Sequence, residues 1–307
     1  MTTRKVRIGT RGSQLALWQA NETARRLTTA GYEPELHIVK TTGDKRQDVS
    51  LATIGGKGLF IKELEETLER GEVDIAVHSL KDVPSIIPDH FVLAGFLDRA
   101  DPRDAWVHPD GKAIAEMPEG ALIGTSAPRR RTQLMNLFPQ FRIEDIRGNV
   151  DTRINKARDG QYAGIILASA GLTRLGRAGE ITSYFSVDEM LPAAGQGIVG
   201  IECLGTNEFA QEAVRRISHN PSALAARCER GVLQKFGEQL DCYSAVAVHC
   251  TVAGDEITLR AFFSDYDATR AIRARNSGTD PDAVINAVYD ELVAQGAQEL
   301  LCATRKQ

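Results

Sequence analysis

Apolar and polar positions along this chain switch between a two-residue and a helical period, and each switch marks an element. Val6–Gly9 reads as a strand, leading through Thr10-Arg11-Gly12-Ser13 into a helix from about Gln14, with Ser13 as its N-cap. Glu35–Lys40 reads as a second strand, followed by the polar stretch Thr41–Asp48. The loop Ile54-Gly55-Gly56-Lys57-Gly58 precedes a helix from about Leu59 to Arg70, after which Val73–Val77 and Phe91–Gly95 read as strands. The charged segment Asp98–Asp104, which contains Pro102, then breaks the pattern as a crossover or domain boundary.

A second unit repeats the alternation. Ala121–Gly124, Phe141–Ile146 and Gly164–Ala168 are strand-like, and Pro128–Phe138 and Asp151–Arg158 are helical. Leu191–Gly197 reads as a second crossover, and Ile198–Glu202 as a strand returning to the first sheet. Beyond Asn220 the order changes to a helix at Pro221–Phe236, a hairpin of Val246–Val252 and Ile257–Phe263 turning at Ala253-Gly254-Asp255, a strand near Thr269–Arg275 and a helix at Pro281–Gln295. The pattern predicts an α/β protein of three domains: residues 1–98 with 198–218, residues 99–197, and a small α+β domain over 219–307.

Composition narrows the function classes. The 307 residues carry a net charge of −4, 42% hydrophobic and 25% charged residues, ordinary for a globular protein and without the basic excess of a nucleic-acid or membrane binder. The N-terminus runs straight into a strand with no apolar leader, so a cytoplasmic location is expected. The five cysteines show neither a disulfide framework nor metal-ligand pairing. Cys203, Cys228 and Cys250 fall within strand or helix patterns and read as small buried hydrophobes.

The candidate chemistry gathers at strand exits, where ligands bind in open α/β sheets. His78, Ser79, Lys81 and Asp82 follow the apolar run Ile75–Val77, and Pro84 holds the segment in a loop. A carboxylate beside Lys81 is favoured in its ionised form. In the second unit Thr125-Ser126-Ala127-Pro128-Arg129-Arg130-Arg131 opens a helix, with Thr125 or Ser126 as candidate cap. Arg147-Gly148-Asn149-Val150-Asp151-Thr152-Arg153 opens another, and Arg174 follows Ser169-Ala170-Gly171-Leu172. Arg11 and Ser13 hold the matching exit in the first unit. Helix N-termini flanked by guanidinium forks suit carboxylates or phosphates, so the pattern predicts a polyanion site facing an interdomain cleft. Gly55-Gly56-Lys57-Gly58 lacks the spacing of a nucleotide phosphate loop and reads as a loop presenting Lys57 to an anion.

These stretches together closely resemble the porphobilinogen deaminase (hydroxymethylbilane synthase) family. The resemblance rests on Arg7–Ser13, Leu15–Ala20, Gly55–Phe60, His78–Pro84, Asp101–Ala105, Gly124–Ser126 with Arg129-Arg130, Arg147–Arg153 and Leu191–Gly197. It implies two α/β domains with mixed sheets like the lobes of periplasmic binding proteins, plus a small C-terminal α+β domain. It also implies a monomeric transferase that condenses four porphobilinogen molecules head to tail, with loss of ammonia, on a dipyrromethane cofactor joined by a thioether to Cys242. Asp82 becomes the catalytic carboxylate, assisted by Lys81 and Arg11. Ser13, Lys57, Ser79, Thr125, Ser126, Arg129, Arg130, Arg147, Gly148 and Arg153 become cofactor ligands. Arg11, Arg147, Arg153, Arg174 and Gln196 become substrate ligands.

The chain departs from the family pattern around Cys242, where Leu240 replaces an expected glycine and Ala245 an expected proline. Thr53 stands for a common lysine and Ala127 for a common serine, each removing one polar contact of modest value. The competing reading is a catalytically silent, two-lobed binding module for a polyanionic ligand; such a module has no use for both Asp82 and a loop thiol.

Overall fold

The computed structural model describes residues 4–41, 61–240 and 244–303. The chain forms two compact units, Met1–Ala100 with Gly197–Arg227, and Asp101–Gln196 with Cys228–Gln307. In the first unit, β1 (Lys5–Arg11), α1 (Gln14–Thr29), β2 (Glu33–Val39), α2 (Lys62–Glu69), β3 (Ile75–Ser79) and β4 (Phe91–Phe96) are joined by β10 (Val199–Leu204) and α6 (Glu208–Arg215) from the returning chain. The sheet order is β2-β1-β3-β10-β4, with β1 parallel to β2 and β3, and β10 antiparallel to β3 and β4. The strand expected to return to the first sheet does so.

Strand β3 differs from its expected span. It begins at Ile75 and continues through Ser79, so His78 belongs to the sheet and is buried rather than lying in the polar exit. The exit is a single 3-10 turn over Leu80–Asp82, with Leu80 buried and Lys81 and Asp82 exposed.

The second unit holds β5 (Asp104–Val107), β6 (Leu122–Gly124), α3 (Pro128–Leu137), β7 (Arg142–Glu144), α4 (Val150–Arg158), β8 (Gly164–Ala168), α5 (Ser169–Arg174) and β9 (Ser183–Tyr184). Its sheet order is β7-β6-β8-β5-β9, with β6 parallel to β7 and β8, and β5 antiparallel to β8 and β9. Strand β8 reads GIILA and buries its first four residues, as a central strand covered on both faces does. Helix α7 (Asn220–Phe236) leads to an antiparallel sheet of β11 (Ala245–Ala253), β12 (Glu256–Ser264) and β13 (Ala271–Gly278), followed by α8 (Pro281–Ala294) and α9 (Ala297–Ala303).

Trp106 on β5 is wholly buried, donates its indole N–H to the Lys112 carbonyl at 2.9 Å, and lies over Gly164. A Cβ at position 164 would sit 2.1 Å from the Trp106 ring. Gly164→Ala is therefore expected to destabilise the protein by about 1–3 kcal/mol or more through overpacking, read as a lower urea midpoint. An unchanged midpoint would show that the ring has room to move.

Candidate functional site

In the first unit, the C-terminal ends of parallel neighbours β1 and β3 fall at one edge of the sheet. Arg11 closes β1, and Ser13 caps α1 by accepting from the Ala16 N–H at 3.3 Å. Ser79 closes β3 and its hydroxyl accepts from the Gln19 side-chain amide at 2.8 Å. The backbone N–H of Leu80 donates to the Ile198 carbonyl at 3.0 Å, which fixes the start of the turn. Lys81 and Asp82 lie just beyond, and no described residue hydrogen-bonds or ion-pairs with the Asp82 carboxylate. Lys57 lies outside the described residues.

In the second unit, the parallel strands β6, β7 and β8 direct their C-terminal ends to one edge. Thr125 follows β6 and is buried, and its hydroxyl accepts from the Ala127 N–H at 3.4 Å. Neither Thr125 nor Ser126 caps α3: the N-cap residue is Ala127, whose side chain has no oxygen to offer, and Pro128 supplies the first helical residue. Past β7, Asn149 caps α4 through a 2.9 Å bond from the Thr152 N–H. Gly148 has φ +114, and a Cβ there would meet Thr152 at 2.5 Å, so only glycine permits this tight approach to the helix start. Arg153 closes the loop by donating from Nε to the Gly148 carbonyl at 2.7 Å, and Arg147 sits 3.5 Å from the Asp145 carboxylate. Arg174 ends α5 past β8, where burial lowers its pKa to about 10, still charged at neutral pH.

Arg129 and Arg130 have protein partners that the sequence does not announce. Both are buried against Asp104, itself wholly buried at the head of β5. Arg129 donates to Asp104 at 2.6 and 3.2 Å, to the Leu191 carbonyl at 3.0 Å and to the Gln196 side-chain carbonyl at 2.9 Å. Arg130 donates to Asp104 from Nε at 3.0 Å and from Nη2 at 2.8 Å, and to the Ile166 carbonyl at 3.1 Å. These bonds use four of the five guanidinium N–H groups of Arg129 and three of those of Arg130. Burial works against the Asp104 charge, but the two guanidiniums outweigh it and hold the carboxyl well below the usual carboxylate range. Two cations and one anion leave a formal charge of +1.

Gln196, expected to touch substrate, is fully buried. Its amide NH2 donates to the Pro102 carbonyl at 2.7 Å and to Asp104 at 2.9 Å. Its structural partners are therefore the arginine cluster and the chain entering the unit. Asp104 itself escaped the sequence reading, because an aspartate at the end of a charged segment looks like part of the linker. Among the cysteines, Cys203, Cys228 and Cys250 are buried, and burial followed by the Glu202 charge pushes the Cys203 thiol up to about 11. Cys242 lies outside the described residues.

Residues 6–212 match the family model described as porphobilinogen deaminase, dipyromethane cofactor binding domain. Porphobilinogen deaminase of Geobacter sulfurreducens is 45% identical over 305 residues, covering 98% of this chain and 95% of the relative. That of Brevibacillus brevis is 40% identical, covering 99% and 98%. Among solved structures, the methionine binding protein MetQ matches at 12% identity with a TM-score of 0.46, covering 73% of this chain and 94% of that one. With its family model and these near-full-length relatives in agreement, the chain belongs to the porphobilinogen deaminase family, transferases of tetrapyrrole synthesis that carry a dipyrromethane cofactor.

Proposed function

We propose that Asp82 is the catalytic carboxylate of the head-to-tail condensation of four porphobilinogen molecules into hydroxymethylbilane, and that Cys242 carries the cofactor. The observation that carries this reading is the exposed Asp82 in the turn at the end of β3, with no partner among the described residues, Arg11 at the same sheet edge and Lys81 adjacent in the chain. The donor set fits the cofactor. Dipyrromethane and porphobilinogen bear acetate and propionate groups, and the C-terminal strand edges of the two units present Arg11 and Lys81 in one, Arg147, Arg153 and Arg174 in the other.

In this reading the cofactor, once bound, supplies the free pyrrole position on which chain growth starts. Ser13, Lys57, Ser79, Thr125, Ser126, Arg147, Gly148 and Arg153 hold its carboxylates. Arg11, Arg147, Arg153 and Arg174 orient those of the substrate. Arg129 and Arg130 act through their residual N–H groups and the +1 field of the Asp104 cluster, with Gln196 keeping Arg129 in place. Asp82 accepts hydrogen bonds from pyrrole N–H groups and stabilises the positive charge that develops on the substrate pyrrole as ammonia leaves. We extend the proposal to three domains with the boundaries given above and to a cytoplasmic monomer; among the described residues no helix is long and apolar enough to cross a membrane. The competing binding-module reading has no task for Asp82.

Intact-mass measurement tests the attachment point. The purified chain is expected to exceed its sequence mass by one dipyrromethane, an excess lost in Cys242→Ser and kept in Cys250→Ser, whose thiol is buried in β11. An unmodified wild-type chain, or an excess that survives Cys242→Ser, would overturn the assignment.

A further inference from the structure

His78 and Glu202 form an ionisable pair inside the first sheet. His78 on β3 is 5% exposed and Glu202 on β10 is fully buried, with Nε2 and Oε2 3.0 Å apart. In the antiparallel register Gly200 lies opposite His78 and Glu202 opposite Ala76, which makes the two a diagonal pair on one sheet face. Much of the surrounding packing is apolar: Leu64 and Leu68 of α2 pack with Ala76 and Phe91, and Leu80 packs with Ile61, Val83 and Ile198. Glu65 of α2 feels the same pair: burial and then the Glu202 charge raise its pKa to about 6, with His78 and His90 opposing and Glu69 adding a smaller upward push.

Burying such a pair costs several kcal/mol per charge, and an apolar pair of similar shape often serves stability as well or better. What the pair supplies here is registry. Three successive residues of the chain are pinned: His78 to Glu202, Ser79 to Gln19, and the Leu80 N–H to the Ile198 carbonyl. Lys81 and Asp82 are the first exposed residues past those pins.

We infer that His78 and Glu202 are positioning residues for Asp82, locking the end of β3 so that the turn holds its carboxylate in place. This rests on the reading of Asp82 above. A displacement on the order of 1 Å at a reacting group costs about 100-fold in rate. His78→Leu and Glu202→Leu are thus each expected to lower kcat by about 10- to 100-fold, with KM changed less than about threefold and the cofactor mass retained. His78→Gln, which keeps a donor to Glu202, restores most of the loss. Because the two act as one unit, the double leucine variant loses no more kcat than either single variant.

Combining His78→Leu with Asp82→Asn separates this inference from the reading beneath it. If His78 acts through Asp82, His78→Leu slows the wild type but adds nothing to Asp82→Asn. Normal kcat in folded His78→Leu, equal loss in His78→Gln and His78→Leu, or independent losses in the combined variant would overturn the positioning role. Normal turnover in Asp82→Asn alone would instead overturn the catalytic reading. Should the leucine variants not fold, His78→Gln and the shorter His78→Asn carry the test, with near-wild-type kcat for the first, which reaches Glu202, and a kcat-only loss for the second, which does not, as the supporting result. A change confined to KM or to melting temperature would count against it.

Discussion

Asp82→Asn is expected to leave the fold and the attached cofactor in place while lowering porphobilinogen turnover by about two to three decades. Asparagine keeps the size and one acceptor oxygen but removes the charge. A unit charge about 4 Å from the developing pyrrole cation contributes roughly 4 kcal/mol at an effective dielectric near 20. That corresponds to about three decades in rate. The folded state has little to lose, because Asp82 is exposed and has no described partner. Exposed substitutions of this kind change stability by only about 0.5 kcal/mol. The separation between the two effects is the signature: steady-state assays report the loss of kcat, and thermal melts report an unchanged midpoint.

Asp104→Ala is expected to do the reverse, acting first on stability. It leaves Arg129 and Arg130 buried with no anion between them and removes one acceptor of Gln196. Breaking a buried pair by deleting one partner costs about 3–5 kcal/mol. For a unit of this size that lowers the melting temperature by on the order of 10 °C. The cluster also sets an acid limit. The folded carboxyl lies below its ordinary value, so its stabilisation is complete above the unfolded pKa of about 4 and is lost as pH falls further, towards the folded pKa. Melts of the wild type should therefore steepen in their pH dependence below about pH 4, and Asp104→Asn should flatten that dependence. A variant as stable as the wild type at pH 7 would contradict this account of the cluster.

Legibility in the sequence followed the range of the interactions involved. Strand β8, the β11–β12 hairpin and the Ser13 cap are encoded within a few residues by apolar runs, a turn and a local hydroxyl, and all appear in the structure. Helices α5, α6 and α9 and the short strands β5 and β9 do not show in the sequence pattern, and α5 replaces the loop expected over Ser169–Leu172. Strand β5 opens on Asp104, a charge tolerated inside only because arginines 25 and 26 residues away meet it. The same distance effect hides the protein partners of Arg129 and Arg130, which show in sequence as uncommitted cations and in structure as mostly satisfied ones. In sequence His78 reads as part of the polar exit because it ends the apolar run; its partner Glu202 is 124 residues away, on β10. The family motifs were visible because each is contiguous, whereas the pairings that orient them join distant segments. The segments around Lys57 and Cys242 lie outside the described residues.

Single-turnover ammonia release from porphobilinogen, by wild-type and Asp82→Asn protein each confirmed by mass to carry the cofactor, tests the assignment of Asp82 most directly. The prediction is a rate lower by about two to three decades in the variant, with the cofactor mass intact. Release at the wild-type rate from cofactor-loaded Asp82→Asn would contradict it.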